Sequence, residues 1–194
     1  MAVSIHSQMH SEIRRIGQKR FASEYWSSIE TALESYSSQH SRVICNSNGQ
    51  IAAFILVCPP QTSSHSKYGL EGKVPSSFYE IAFLATDEGN EGRGYARLLL
   101  SAVLQCCTEN SHNVWLHVDS INPRAVALYE SLGFQSVMEI PDPFGSYGYL
   151  MVRLCSIGWN SKTREGFALL NTSPSQAEHT FGGSIFPPPC ATCC

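Results

Sequence analysis

Residues 78–107 read FYEIAFLATDEGNEGRGYARLLLSAVLQCC, and the architecture is built outward from them. The first eight, 78–85, are almost continuously apolar, the pattern of a strand covered on both faces, with Glu80 as its lone carboxylate. From Ala96 the period changes: Leu98, Leu99, Ala102, Val103 and Cys106 make the stripe of a core-facing helix over 96–107. Gly89, Gly92 and Gly94 lie between the two. Strand, glycine turn and helix in that order bring free backbone N–H groups and the positive end of a helix dipole to Glu91-Gly92-Arg93-Gly94-Tyr95-Ala96. Such a turn suits an anion. It is not a dinucleotide fingerprint, which needs a third glycine at fixed spacing, nor a P-loop, which needs Gly-Lys-Ser/Thr. On spacing alone a plain loop is an equal reading.

Downstream, 113–118 reads as another buried strand. Asn122-Pro123 opens a helix through Leu132, Gly133 closes it, and strands over 134–140 and 147–154 complete the run. Upstream, residues 2–6 alternate as a short strand. Apolar residues then recur at helical spacing from 11 to 38: Ile13 and Ile16, then Tyr25, Ile29, Ala32, Leu33 and Tyr36. Two helices are expected there, broken at Gly17 or within Lys19-Arg20-Phe21, with Ser23 and Glu24 starting the second. Asn48-Gly49, which tolerates the positive φ of a tight turn, joins strands over 42–45 and 50–57. A polar stretch over 59–77 follows, a length of loop that in a compact domain is functional or disordered.

The 194 residues are 43% hydrophobic and 15% charged, enough apolar material for one domain with its own core. A net charge of -3 without a dense basic block argues against nucleic acid as a partner. Apolar stretches such as 51–58 are strand-sized, far short of the roughly 20 residues of a membrane helix. No basic segment feeds an apolar one near the N-terminus, so no secretory leader is expected and the chain is placed in the cytoplasm or nucleus. Cys45, Cys58, Cys106, Cys107 and Cys155 sit in apolar runs as small hydrophobes, not as a disulfide framework.

The turn at 91–96, followed by Asn122-Pro123-Arg124-Ala125-Val126-Ala127-Leu128-Tyr129-Glu130-Ser131-Leu132-Gly133-Phe134, resembles the GNAT superfamily of acyl-CoA N-acyltransferases. The likeness is at the level of motifs over 78–154, topological over 2–77 and absent beyond. It implies an α+β, three-layer fold in which a central mixed, mostly antiparallel sheet of about seven strands is flanked by about four helices. Residues 1–155 would form that domain and 156–194 a flexible tail. The family pattern at the turn, Gln/Arg-x-x-Gly-x-Gly/Ala, is met at Gly94 and Ala96, whereas Glu91 stands where Gln or Arg is usual. In the family the backbone amides of this turn, here Glu91, Gly92, Arg93, Gly94, Tyr95 and Ala96, hold the diphosphate of acetyl-CoA. A carboxylate beside it is expected to weaken binding somewhat. Leu84, Ala85 and Thr86 occupy positions whose main chain pairs with the pantetheine arm. Trp115-Leu116-His117-Val118 resembles the ribosomal-protein and N-terminal acetyltransferase branch, and Phe78-Tyr79-Glu80-Ile81-Ala82-Phe83 the histone acetyltransferase branch. The ending from Pro141 to Met151 resembles the first branch, whose last hairpin carries tyrosines, here Tyr147 and Tyr149, that line an acceptor-peptide groove.

Amide formation from a thioester needs a neutral amine, a base for its proton and an acid for the departing thiolate. Glu80, eleven residues before Glu91, stands where the histone branch keeps its catalytic glutamate. Burial in an apolar strand would raise its pKa toward that of a useful base. The alternative is a strand glutamate with a structural partner. His117 faces away from Leu116 and Val118, and a neutral imidazole suits proton removal near pH 7; a satisfied core histidine is an equal reading. The resemblance makes Tyr129 the acid that protonates the coenzyme A thiolate and Asn122 a ligand of pantetheine. Ala125, Leu128, Tyr129 and Leu132 also read as an ordinary core stripe.

The acceptor is left open between two protein amines. Neutralising a lysine at pH 7 costs about 4.6 kcal/mol, an α-amine about 1 kcal/mol. Glu80 therefore tilts toward lysine, His117 and the closing hairpin toward a protein N-terminus. Small amines, and a noncatalytic acyl-CoA or protein-binding module, are the alternatives. At the C-terminus Cys190, Cys193 and Cys194 follow three prolines; the pair could accept lipid, but a CaaX box would need cysteine where Ala191 stands. One Cys-x-x-Cys with His179 falls short of a four-ligand zinc set, so no metal is expected.

Overall fold

In the computed structural model, which describes residues 1–62, 74–141 and 147–155, seven strands form one mixed sheet. They are β1 (Ala2–Ser4), β2 (Arg42–Cys45), β3 (Ile51–Cys58), β4 (Tyr79–Thr86), β5 (Val114–Asp119), β6 (Gln135–Pro141) and β7 (Tyr147–Arg153). The helices are α1 (His10–Arg20), α2 (Trp26–Ser35), α3 (Tyr95–Glu109) and α4 (Pro123–Ser131). Strand order is β1-β2-β3-β4-β5-β7-β6, and every neighbouring pair is antiparallel except β4 with β5. This is the architecture expected from the sequence. Part of the polar stretch before β4 (63–73), part of the closing hairpin (142–146) and the expected tail (156–194), with its three cysteines, lie outside the described residues.

The sheet is covered on both faces. Ile13 and Ile16 of α1 and Ile29 and Leu33 of α2 bury against Phe54, Leu56, Phe83 and Ala85. On the opposite face Leu99, Leu100, Val103 and Cys107 of α3 and Ala125 and Tyr129 of α4 bury against Ile55, Val57, Ile81, Leu116 and Met151. β3 is buried along its whole length, as its unbroken apolar run requires.

α1 ends where Phe21 turns extended (φ -119°, ψ 147°), after the basic last turn of Lys19 and Arg20 that suits the negative end of the helix dipole. Gly17 is not a break. It lies inside α1, where a Cβ would fall 2.8 Å from Ile29 Cδ1, so its lack of a side chain lets α2 cross closely. Across the β2–β3 turn Asn46 Oδ1 accepts the N–H groups of Asn48 (2.9 Å) and Gln50 (3.1 Å), and Gly49 takes φ +77°. The five cysteines among the described residues are free thiols, with Cys58, Cys107 and Cys155 buried. Among the described residues no helix is long and apolar enough to cross a membrane.

Candidate active site

The parallel pair at the centre of the sheet does not stay paired. β4 and β5 register only at Tyr79 with Val114 and Glu80 with Trp115. Beyond that point β4 continues through Thr86, bonded on its other side to β3, while β5 continues through Asp119, bonded to β7. A wedge-shaped slit therefore opens between residues 81–86 and 116–119, with Glu80 at its closed end. The main-chain groups of two strands line it without a strand between them, which suits a narrow ligand with amides of its own.

An irregularity in β4 decides which side chains meet there. Leu56 pairs with Phe83 but Val57 pairs with Ile81, so Ala82 is bulged out and the alternation of β4 shifts by one residue. As a result Glu80, opposite Cys58, shares a face with Phe83 and Ala85, the α1/α2 face. Trp115 stands across from Glu80 on this face, and His117, two residues on and across from Leu150, shares it. Tyr129, on α4, is on the other face, packed edge-on to Phe134 at a centroid distance of 5.7 Å. The two candidate bases are thus on one side of the sheet and the candidate acid on the other, with the slit between β4 and β5 as the passage that connects them.

Glu80 is 6% exposed and Tyr129 8%. Both have polar or ring partners, as do His117 and Asn122. Burial beside the Glu80 carboxylate pushes the Cys58 thiol up to about 12, so Cys58 is a neutral neighbour and not a thiolate; desolvation is the larger cause and the Glu80 charge the second. Leu84 and Thr86 look toward the α3/α4 side and Ala85 toward the α1/α2 side at the open end of the slit.

At that open end the chain turns into α3. Gly92 and Gly94 take φ +72° and +75°, conformations that side chains resist, and Gly94 caps α3 with no side chain to satisfy the first-turn N–H groups. Arg93 and Gly94 are exposed, Tyr95 and Ala96 half-buried. Glu91 does not stand alone at the turn: its Oε1 accepts from Arg20 Nη1 at 2.8 Å. Hydrogen bonding from its own backbone N–H, then Arg20, holds the Glu91 carboxyl below the ordinary carboxylate range.

Asn122 is the N-cap of α4, its Oδ1 accepting from Ala125 N–H at 3.1 Å, a job the pantetheine expectation had not included. Tyr149 packs toward the α3/α4 side, and Tyr147, two residues earlier on β7, is exposed at the rim with its carbonyl accepting from Ser120 N–H and Oγ. These two tyrosines are not brought together with Glu80 and His117. Three neighbours escaped the sequence reading: Cys58 behind Glu80, Arg20 behind Glu91, and Gly148, beside which the His117 ring lies. Strand pairing fixes the first and last, and an ion pair spanning 71 residues the other; none leaves a local motif. Among the described residues no group of three or more His, Cys, Asp or Glu is placed to hold a metal ion.

The model of the acetyltransferase (GNAT) family matches residues 7–134, from α1 through the turn and α4. The N-alpha-acetyltransferase RimI of Mycobacterium tuberculosis is 38% identical over 66 residues, 34% of this chain and 40% of that protein. An uncharacterized protein of Mycobacterium leprae, ML0378, is 35% identical over 85 residues, 42% of this chain and 23% of the relative. The chain thus spans less than half the length of the curated relatives it matches. Among solved structures, the ribosomal-protein-S18-alanine N-acetyltransferase of Escherichia coli superposes with a TM-score of 0.60 at 20% identity, over 83% of this chain and 97% of that one.

Proposed function

Because the chain belongs to the acetyltransferase (GNAT) family, we propose that it transfers an acetyl group from acetyl-CoA to a protein amine, the α-amine of a protein or peptide N-terminus before a lysine. The observation that carries the reading is the slit between β4 and β5, with Glu80 and His117 on one side of the sheet and Tyr129 on the other. Acetyl-CoA supplies a thioester, an acetyl carbon already activated toward amines. Gly92 to Ala96 would hold its diphosphate on main-chain N–H groups, and the edge of Leu84, Ala85 and Thr86 would pair with its pantetheine arm.

The division of labour follows from the faces. The amine approaches from the α1/α2 side and attacks the acetyl carbon, forming the C–N bond. Its surplus proton goes to the Glu80 carboxylate, directly or through the His117 imidazole. The C–S bond breaks, and the Tyr129 hydroxyl gives its proton to the thiolate on the other side of the sheet. Support for an α-amine comes from the name of the M. tuberculosis relative and from chemistry: near neutral pH an α-amine costs far less to neutralise than a lysine and needs only a modest base. Tyr147 is exposed at the rim of the closing hairpin, away from Glu80 and His117, where it could meet a more distant part of an acceptor peptide.

The test is thiol release from acetyl-CoA with two matched peptides, one with a free N-terminus and no lysine, the other N-terminally blocked with one internal lysine. Turnover on the first alone supports the reading. Turnover on the second alone moves the acceptor to lysine, and silence on both with acetyl-CoA bound moves it to small amines or to a binding module.

A further inference from the structure

Three ion pairs tie the end of α1 to the turn before α3. Arg15 grips Asp87 with two N–H groups at 3.2 and 2.7 Å, Lys19 reaches Glu88 at 3.7 Å, and Arg20 reaches Glu91 at 2.8 Å. The Lys19 pair is well exposed and the Arg15 side chain is 42% exposed, so both are screened by water. Arg20 differs: its side chain is 7% exposed against 34% for Glu91. A guanidinium is seldom sunk that far unless its charge is met.

The arrangement bears on the anion site. Asp87, Glu88 and Glu91 put three negative charges into the very turn that would meet a diphosphate, and Arg15, which also reaches Glu12 at 3.8 Å, Lys19 and Arg20 each face one of them. Arg93 is then left as a surplus cation of the turn, close to the Gly89 carbonyl at 3.5 Å. The last turn of α1 thus delivers, from a distant part of the sequence, what a basic or amide residue at position 91 would deliver locally.

We propose that Arg20 is a positioning residue for coenzyme binding: by pairing with Glu91 it turns that carboxylate toward α1 and away from the diphosphate, and so lets an acidic turn bind an anion. The inference rests on the acetyl-CoA reading above. It also joins the two sides of the site, because Phe21, the next residue, packs edge-on to Phe83 at 5.2 Å on the face that carries Glu80.

The experiment is calorimetric titration of acetyl-CoA into the full chain, wild type beside Arg20→Met, Glu91→Gln and the double variant, with each variant's melting temperature recorded. Arg20→Met, which strands the Glu91 charge, is expected to weaken binding about tenfold, and adding Glu91→Gln to restore it to within about threefold of wild type. Glu91→Gln alone is expected to bind as tightly as wild type or more so. Arg20→Met binding like wild type, or a folded double variant no better than Arg20→Met, overturns the proposal. If Arg20→Met fails to fold, Glu91→Gln decides: weaker binding overturns the proposal, equal or tighter binding upholds it. Wild type that binds no acetyl-CoA overturns the parent reading and this one with it, an outcome distinct from failure of Arg20 alone.

Discussion

The imidazole of His117 lies where a side chain on Gly148 would have to go. A Cβ built on Gly148 falls 2.9 Å from His117 Cε1, closer still to Nε2, and 2.5 Å from the carbonyl oxygen of Val118. Gly148 faces Asp119 across the β5–β7 ladder, two positions along β7 from the Leu150 that faces His117. The position of the ring is therefore set by an absence on the neighbouring strand.

Gly148→Ala is expected to push the ring aside and to strain the β5 backbone, lowering stability by roughly 1–3 kcal/mol, as overpacking does. The His117→Ala/Gly148→Ala double variant should be less destabilised than the sum of the two, because the ring is one of the two groups that a new methyl meets. Denaturant melts of the four proteins measure the coupling. Strict additivity would mean that the ring and the glycine do not share the space.

Glu80→Gln keeps the shape of the side chain and removes its basicity, and should lower the acetyl-transfer rate by about 10²- to 10⁴-fold with acetyl-CoA binding retained. Tyr129→Phe should likewise lower turnover and leave folding intact, since the ring packing against Phe134 survives. The pH–rate profiles separate the two: loss of Glu80 should remove the rise on the acid limb, whereas loss of Tyr129 should leave it in place.

Asn122→Ala removes the cap of α4 and should cost about 1 kcal/mol. Asn122→Asp keeps the acceptor for Ala125 N–H and should hold its melting temperature close to wild type. If the amide also serves pantetheine, Asn122→Asp will nonetheless bind acetyl-CoA more weakly. Thermal melts and titrations on the same two variants distinguish the capping job from the ligand job.

Away from the site, His40 is fully buried, with Nδ1 2.8 Å from Ser37 Oγ and Nε2 3.1 Å from His112 Nδ1, and with the Tyr79 ring against it. Burial first, then the charges of His112 and Arg42, lowers its pKa to about 4 from 6.5. The folded protein thus refuses a proton that the unfolded chain accepts. The stability this confers is whole above about pH 6.5 and falls as the pH drops toward 4, by about 3 kcal/mol in all. Urea unfolding of wild type and His40→Gln at pH 7 and pH 4.5 should show the variant losing less on acidification.

Periodicity and turn chemistry made the elements legible. The Asn48-Gly49 hairpin, the strand–glycine–helix run and the Asn122-Pro123 helix start all follow from local rules, and local rules hold wherever a short segment decides its own conformation. Gly17 misled because a glycine in a helix can serve packing instead of ending it. The faces of β4 were hidden for a different reason. With apolar residues on both sides, nothing in its pattern marks the bulge at Ala82, and strict alternation would put Glu80 with Leu84 instead of Phe83. Glu91 taken alone looked like an obstacle, and only the tertiary pair with Arg20 shows how its charge is met. Local sequence reports residue types well; partners separated by 71 positions are written in the fold.

The divergence of β4 from β5 also has a mechanical meaning. Past Glu80 and Trp115 the sheet is two panels, one running from β1 to β4 and one from β5 to β6, joined across a seam only two residue pairs long. On the proposed reading, a molecule threaded through that seam would be more than a substrate: it would bond to both panels and take the place of the ladder they lack. It would then set the angle between Glu80 on one panel and His117 on the other, so that the proposed catalytic geometry would be completed by the compound on which it acts.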